Sequence, residues 1–345
     1  MKAAVFEKPF KMEIKEVEIP IIGNNDLLLK VKVCGVCATD VHSYEGRTIA
    51  DKYPDPVIPG HEISGIVEAV GDNVHDFIRG DKLVVDPIVP CEHCDFCKTN
   101  HYNHCLHSES IGTTIAGGFA EYVAVPSKNA YRFHKAAFCD AALAEPLSTA
   151  VYGQTRAEIG FGDEILIMGA GPLGLLHLQL ALRRGASRVV VSDLKPAKLE
   201  VAAKMGAAAT VPGIGGSNGE TEKYLRELAP LGFDVVIDAT GNTQVLAAGM
   251  QFLKNTGRLI VFGVYPSGET MAVNPYQIYR RDIKIIGVFA LNKTISQAIA
   301  LIEEGLVRVN PVVAKQYPLK NLGLALSDLK SGKAEGKLQI NMDLD

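Results

Sequence analysis

The sequence has no apolar run approaching the roughly 18 residues that a membrane-spanning helix requires; its most apolar segments are interrupted by Gly, Gln or charge. It does not open on an apolar leader either, since MKAAVFEKPFKMEI mixes charged and apolar residues throughout. Positive charge is not in excess: 35 Lys+Arg stand against 39 Asp+Glu, for a net charge of −4. That balance excludes an overall attraction to nucleic acid or to an anionic membrane. Internal repeats and low-complexity tracts are absent. These absences predict a soluble, cytoplasmic protein whose partner is a small molecule.

What is present is the composition of a globular chain, with 47% hydrophobic and 21% charged residues. At 345 residues the chain exceeds one ordinary core, so two domains are expected. Positions 2–33 carry short alternating runs (KMEIKEVEI, LLLKVKV) that read as strands, parted by the turn Gly23-Asn24-Asn25-Asp26. SGIVEAVG, KLVVD and FAEYVAV continue that pattern, with turns at Gly71-Asp72 and Gly80-Asp81. Beyond position 155 strands and helices alternate. EILIM at 164–168 and further strands at 188–193, 234–238 and 258–262 are separated by helices at 172–183, 196–205 and 243–253. Near-continuous Val/Ile/Leu strands between helices predict a parallel sheet covered on both faces. The tail from Thr294 holds a helix (ISQAIALIEEGL) and a closing strand (KLQIN).

Three constellations carry chemistry. Gly169-Ala170-Gly171-Pro172-Leu173-Gly174 follows the EILIM strand and opens a helix, and Asp193 ends the next strand 19 residues beyond Gly174. Glycines there let a pyrophosphate approach the backbone, and the helix N-terminus favours its charge. A carboxylate at Asp193 suits the ribose hydroxyls of NAD and repels the 2′-phosphate of NADP, with Lys195 and Lys198 close by in sequence. The second constellation is Cys91-x2-Cys94-x2-Cys97-x7-Cys105. Four thiols so close together predict a closed, structural zinc site, with an iron–sulfur cluster as the lesser alternative; His93, His101, His104 and His107 lie among them as alternative donors. The seven cysteines are an odd number, which also favours metal over a disulfide framework. The third is the stretch Cys34 to Glu62, which holds Cys37, Thr39, Asp40, His42, His61 and Glu62. A catalytic zinc takes three Cys, His or carboxylate ligands and leaves one position open, so Cys37, His61 and Glu62 or a later carboxylate are expected to hold one.

In their order along the chain, the Cys34 to Glu62 stretch, then the four-cysteine lobe, then the glycine turn, the three constellations resemble the zinc-dependent medium-chain alcohol dehydrogenases, over essentially the whole chain and most closely in the sorbitol (polyol) branch. The residues that carry the likeness are Gly35 to His42, Gly60-His61-Glu62, Glu145-Pro146-Leu147 and Asp238-Ala239-Thr240-Gly241. The resemblance implies an α/β protein: a GroES-like β-rich catalytic domain over 1–153 and 290–345, and a Rossmann doubly wound parallel sheet over 154–289. It also implies a structural zinc lobe at 88–107 and a catalytic zinc in the cleft between the domains. Carried over, Cys37, His61 and Glu62 are the catalytic zinc ligands, and Glu145 binds the metal directly or through water. Thr39 hands the alcohol proton onward, and Asp40 orients His61 through its other ring nitrogen. His42 matches a relay position, an ordinary surface histidine being the alternative. The dinucleotide would meet Gly169, Gly171, Pro172, Leu173, Gly174, Asp193, Lys198, Thr240, Val264, Val288 and Phe289.

The implied reaction is hydride transfer from a secondary alcohol of a polyol to NAD, giving a ketone. L-threonine 3-dehydrogenase and 2,3-butanediol dehydrogenase are the nearest alternatives. A metal-free, dinucleotide-binding relative of the quinone-reductase or crystallin type is the non-enzyme alternative. Two departures set sorbitol itself aside: Ser43 and Ala290 stand where the sorbitol enzymes carry Tyr and Arg. With Tyr44 and Phe119 they are expected to shape the substrate pocket. The run DIKIIGVF at 282–289 resembles the family's sheet-edge strand, which implies a homodimer or homotetramer.

Overall fold

The computed structural model describes residues 1–47, 56–214 and 219–344, so residues 48–55 of the Cys34 to Glu62 stretch lie outside the described residues. The chain divides into two compact units, Met1–Ser148 with Asn292–Asp345, and Thr149–Leu291. One boundary falls inside the helix Ala144–Arg156. Among the described residues no helix is long and apolar enough to cross a membrane.

The first unit is built on a seven-stranded sheet whose central member is Asp26–Val36. Alternation sets its faces: Leu27, Leu29 and Val31 are buried while Leu28 and Lys30 are not. From Val33 every residue of the strand is buried, and there Lys337–Asn341 pairs with it along one edge and Glu62–Val70 along the other, both antiparallel. The closing strand thus returns to the first unit, 300 positions after its neighbour, with Ile340 opposite Cys34 and Gln339 opposite Gly35. KMEIKEVEI lies apart from this sheet. Its strand Lys11–Glu16 pairs with Lys2–Lys8 in a separate two-stranded ribbon.

The second unit is a six-stranded, fully parallel sheet in the order Ala209–Pro212, Arg188–Asp193, Glu164–Met168, Phe233–Asp238, Leu253–Val261, Lys284–Gly287. Numbered along the chain this is 3-2-1-4-5-6, the doubly wound order, with its switch point between Glu164–Met168 and Phe233–Asp238. Ile165, Leu166, Ile167 and Met168 are all buried, and successive residues face opposite sides, so both faces are covered.

Two expected boundaries differ. The helix expected over 243–253 stops at Gly249, where a Cβ would meet the Met168 side chain at 2.5 Å, and a short 3-10 turn follows. The strand expected at 258–262 begins earlier, at Leu253. Lys254-Asn255-Thr256-Gly257 reads as a turn, and it does distort the strand: Thr256 has φ +64 and the pairing register shifts beside it.

Candidate active site and metal centres

Cys37 follows the central strand and is the N-cap of the helix Ala38–Tyr44. Asp40 makes that turn possible, since its carboxylate accepts the Cys37 backbone N–H at 2.7 Å. His61 and Glu62 start the neighbouring strand directly after Gly60, whose φ of +97 favours glycine. Space demands it too: a Cβ there would lie 2.9 Å from both Cys34 Sγ and the Phe119 backbone nitrogen.

This folding brings ligand atoms of Cys37, His61 and Glu62 within 4.8 Å of one another. His61 and Glu62 are buried, and Asp40 Oδ1 stands 3.6 Å from His61 Nδ1. Burial works against a charged His61, but the Asp40 carboxylate and the Cys37 sulfur outweigh it and hold the imidazolium well above its ordinary range. Glu145, in the first turn of Ala144–Arg156, is buried in the same unit. Burial pushes its carboxyl up to about 7, against the pull of His61, while the negative charge of Glu62 adds to the rise. Thr39 Oγ1 lies 3.7 Å from Cys37 Sγ. His42 is half-buried, and burial followed by the charge of Arg47 lowers its pKa, which keeps the ring neutral near pH 7.

The residues fit a zinc ion. A thiol, an imidazole and a carboxylate are the donors that a catalytic site offers. Glu62 Oε2 is buried without a hydrogen-bond partner, while His61 Nδ1 is the nitrogen that faces Asp40 and leaves the other ring nitrogen for a metal. Carboxylates at Asp40, Glu62 and Glu145 crowd the same place, and a cation relieves the repulsion.

One participant was not foreseen. Lys337, from the closing strand, is buried and donates to Glu62 Oε1. Burial disfavours its charge, but Glu62 reverses this and raises the ammonium above its ordinary range. Of the residues expected in the substrate pocket, Phe119 has no exposed surface and belongs to the hydrophobic core. Tyr44 donates to the Phe10 carbonyl at 3.1 Å and packs edge-on against Phe6 and Phe10. Ser43 is buried. Ala290 is half-buried with φ +54, a left-handed backbone unusual for a residue with a Cβ.

The thiols of Cys91, Cys94, Cys97 and Cys105 also lie within 4.8 Å of one another. Cys94 Sγ is 3.5 Å from Cys97 Sγ and 3.8 Å from Cys105 Sγ. Four sulfurs around a zinc at roughly 2.3 Å stand about 3.8 Å apart, whereas a disulfide holds them near 2.05 Å. All seven cysteines are free. Backbone N–H groups of Cys97 and Leu106 hold the Cys94 thiol down to about 6, whereas burial and the neighbouring thiols push Cys97 up to about 12. The nearby imidazoles are not needed as ligands: His93 Nδ1 pairs with the Cys91 carbonyl oxygen at 2.7 Å, and its ring stacks on His107. Tyr102 ties the lobe to its unit by donating to buried Asp86 and accepting the Lys293 N–H at 3.2 Å.

In the second unit Gly169 has φ +102, and a Cβ on Gly174 would lie 2.9 Å from the Gly169 carbonyl carbon and closer still to its oxygen. Gly171 caps the helix Pro172–Arg183 with open space where its Cβ would be. Asp193 is braced against this turn, accepting the N–H groups of Ala170 at 2.8 Å and Lys195 at 2.9 Å. Across the switch point, buried Asp238 accepts from the Thr240 hydroxyl, the Gly241 N–H and the Tyr265 hydroxyl, which shapes the Asp238 to Gly241 turn. Lys198 and Val288 are partly buried; Thr240, Val264 and Phe289 are exposed.

Residues 23–135 match the alcohol dehydrogenase GroES-like domain family, and residues 172–304 match the zinc-binding dehydrogenase family. D-arabinitol dehydrogenase 1 of Uromyces fabae is 35% identical over 332 residues, covering 96% of this chain and 94% of its own. An L-threonine 3-dehydrogenase of Pseudoalteromonas translucida (strain TAC 125) is 31% identical over 94% of each chain. Among solved structures, a short chain alcohol dehydrogenase from E. coli CFT073 complexed with NADH is 27% identical, with a TM-score of 0.91 over 99% of both chains. The chain belongs to the zinc-dependent medium-chain alcohol dehydrogenase family, on its polyol dehydrogenase side.

Proposed function

We propose that this protein oxidises a secondary hydroxyl of a polyol to a ketone and passes the hydride to NAD, with one zinc at Cys37, His61 and Glu62 and a second at the four-cysteine lobe. The observation that carries the reading is the convergence of a thiol, an imidazole and a carboxylate whose buried oxygen lacks a partner. When bound, zinc supplies the Lewis acidity that lowers the pKa of a hydroxyl, and NAD supplies the hydride acceptor.

The chain's own residues do the rest. Asp40 holds the Cys37 turn and orients the His61 ring, so both donors keep one geometry. Thr39 takes the hydroxyl proton and His42, neutral near pH 7, carries it to solvent. Glu145 stands by as a fourth donor for water or substrate exchange. Asp193 accepts the ribose hydroxyls and so selects NAD. One hydride and one proton leave the carbinol, yielding the ketone, NADH and a solvent proton.

The Uromyces relative is named for a polyol, which supports that substrate class. Ser43 and Ala290 leave out two polar side chains, so a polyol or vicinal diol other than sorbitol is the best fit. The experiment is a panel of pentitols, hexitols, vicinal diols and L-threonine with NAD and NADP, followed by nicotinamide absorbance. Turnover confined to L-threonine would replace the polyol reading, and binding of dinucleotide without turnover on any alcohol would replace the enzyme reading.

The strand Lys284–Gly287 closes its sheet with Ile285 exposed. We assign it to pairing with a second copy, giving a dimer or tetramer. Light scattering showing a stable monomer at micromolar concentration would end that assignment. Seven free thiols suit the reducing cytoplasm, where we place the protein.

A further inference from the structure

The buried pair between Lys337 and Glu62 is unusual in its construction. Three antiparallel strands form one rung, Gln339 opposite Gly35 and Gly35 opposite Glu62. A carboxylate on the third strand reaches an ammonium on the first only by crossing the middle one. Gly35 is the gap it crosses, because a Cβ there would overlap Glu62 Oε2 and lie 2.9 Å from Glu62 Cδ. The crossing leaves the two Glu62 oxygens unlike: Oε1 accepts from Lys337, while Oε2 is buried without a partner. Among the described residues no ammonium is bonded to Glu145, whereas Lys337 is bonded to Glu62. Two carboxylates therefore compete to be the third donor, and Glu62 is the one held in place by a bonded ammonium.

We infer that Lys337 is a positioning residue that makes Glu62, rather than Glu145, the resident third donor of the catalytic metal. It does so by occupying one carboxylate oxygen across the Gly35 gap and leaving the other for the cation. The inference rests on the zinc reading of Cys37, His61 and Glu62. It makes the closing strand part of the metal site, although the strand contributes no ligand.

A lysine so near a cation has two opposed effects. It fixes the carboxylate, which strengthens binding, and it repels the metal, which weakens it. The ammonium is bonded to Oε1 while Oε2 stays without a partner, and Asp40 at 3.6 Å from His61 adds negative charge to the site, so fixing is expected to outweigh repulsion.

The test uses the full-length zinc-loaded protein, with zinc affinity measured by chelator competition and cobalt substitution read from the visible spectrum. K337M is expected to weaken binding at the Cys37 site by roughly 10- to 100-fold, the usual effect of removing a residue that orients a ligand. The four-cysteine zinc should be retained and the cobalt spectrum changed, while K337R stays near wild type. In the E62Q background K337M should add nothing. Unchanged or tighter binding in K337M, or its full effect on top of E62Q, overturns the inference. Should K337M fail to fold, E62Q/K337M decides: restored folding supports the role, since the neutral pair removes both buried charges, and continued misfolding overturns it. A wild-type protein with zinc at the four-cysteine site alone would instead refute the zinc reading beneath it.

Discussion

Two glycines of one turn should respond to the same substitution in opposite ways. At Gly174 an alanine Cβ would sit 2.9 Å from the Gly169 carbonyl carbon, closer to its oxygen, and 3.6 Å from Ile167 Cγ2. None of these is a flexible side-chain tip that can swing away, because the first two are backbone and the third is buried in a strand. The helix must back off the sheet, an overpacking strain that typically costs about 1–3 kcal/mol. At Gly171 nothing lies within 4 Å of the added Cβ, and φ is −71 with ψ −179, a conformation alanine adopts freely. Alanine there should leave the fold intact or stabilise it by roughly 0.4–1 kcal/mol through a less flexible unfolded chain. It should nevertheless weaken the dinucleotide by at least about tenfold if, as proposed, the pyrophosphate approaches the backbone through that open space. Thermal melts and NADH fluorescence titration separate the two. Gly171→Ala is expected to melt as wild type and bind NADH poorly, and Gly174→Ala to melt lower. Wild-type NADH affinity in Gly171→Ala would refute the placement of the cofactor at this turn.

Other expectations are independent of that one. Asp193→Ala should relax the preference for NAD toward NADP in kcat/KM, and unchanged selectivity would remove Asp193 from the ribose contact. Cys91→Ser should lower thermal stability and the yield of assembled protein while leaving turnover per folded subunit in place; normal stability with abolished turnover would contradict a structural role for that zinc. Burial raises the Asp86 carboxyl from 3.8 to about 6, against the hydrogen bonds from Tyr102 and Ile88. A raised folded-state pKa means that stability is fully present below about pH 4 and is lost as pH climbs through about 6, by up to about 3 kcal/mol for two pKa units. Asp86→Asn should flatten that window of a pH–stability curve, and an unaltered curve would exclude Asp86 as its source.

What could be read before the structure was local, and what could not was long-range. The glycine turn and the cysteine lobe declare themselves because their geometry is encoded within a few residues: Gly169 to Gly174 meet across one turn, and Cys91 to Cys105 across one short loop. The parallel strands were legible because unbroken apolar runs such as Ile165 to Met168 need cover on both faces. Cys37, His61 and Glu62 were named from their donor chemistry and then supported by resemblance, since nothing in their spacing says that two strands bring them together. The helix Ala38–Tyr44 carried a readable signal, Asp40 three residues after its cap, that a metal-centred reading of the same residues obscured. Lys337 had no such signal. A lysine in KLQIN reads as an exposed strand terminus, and only its pairing in the sheet beside Gly35 turns it toward Glu62. Phe119, expected in the substrate pocket, is fully buried in the core, where it packs so closely on Gly60 that a Cβ there would lie 2.9 Å from its ring.

The central claim is that Cys37, His61 and Glu62 hold a zinc distinct from that of the cysteine lobe. Elemental analysis of the purified protein and of Cys37→Ser tests it most directly. The account expects two zinc ions per subunit in the wild type, one for each donor group, and one in the variant, with polyol-dependent NAD reduction lost alongside the missing ion. A wild type that holds a single zinc, retained in full by Cys37→Ser, would contradict it.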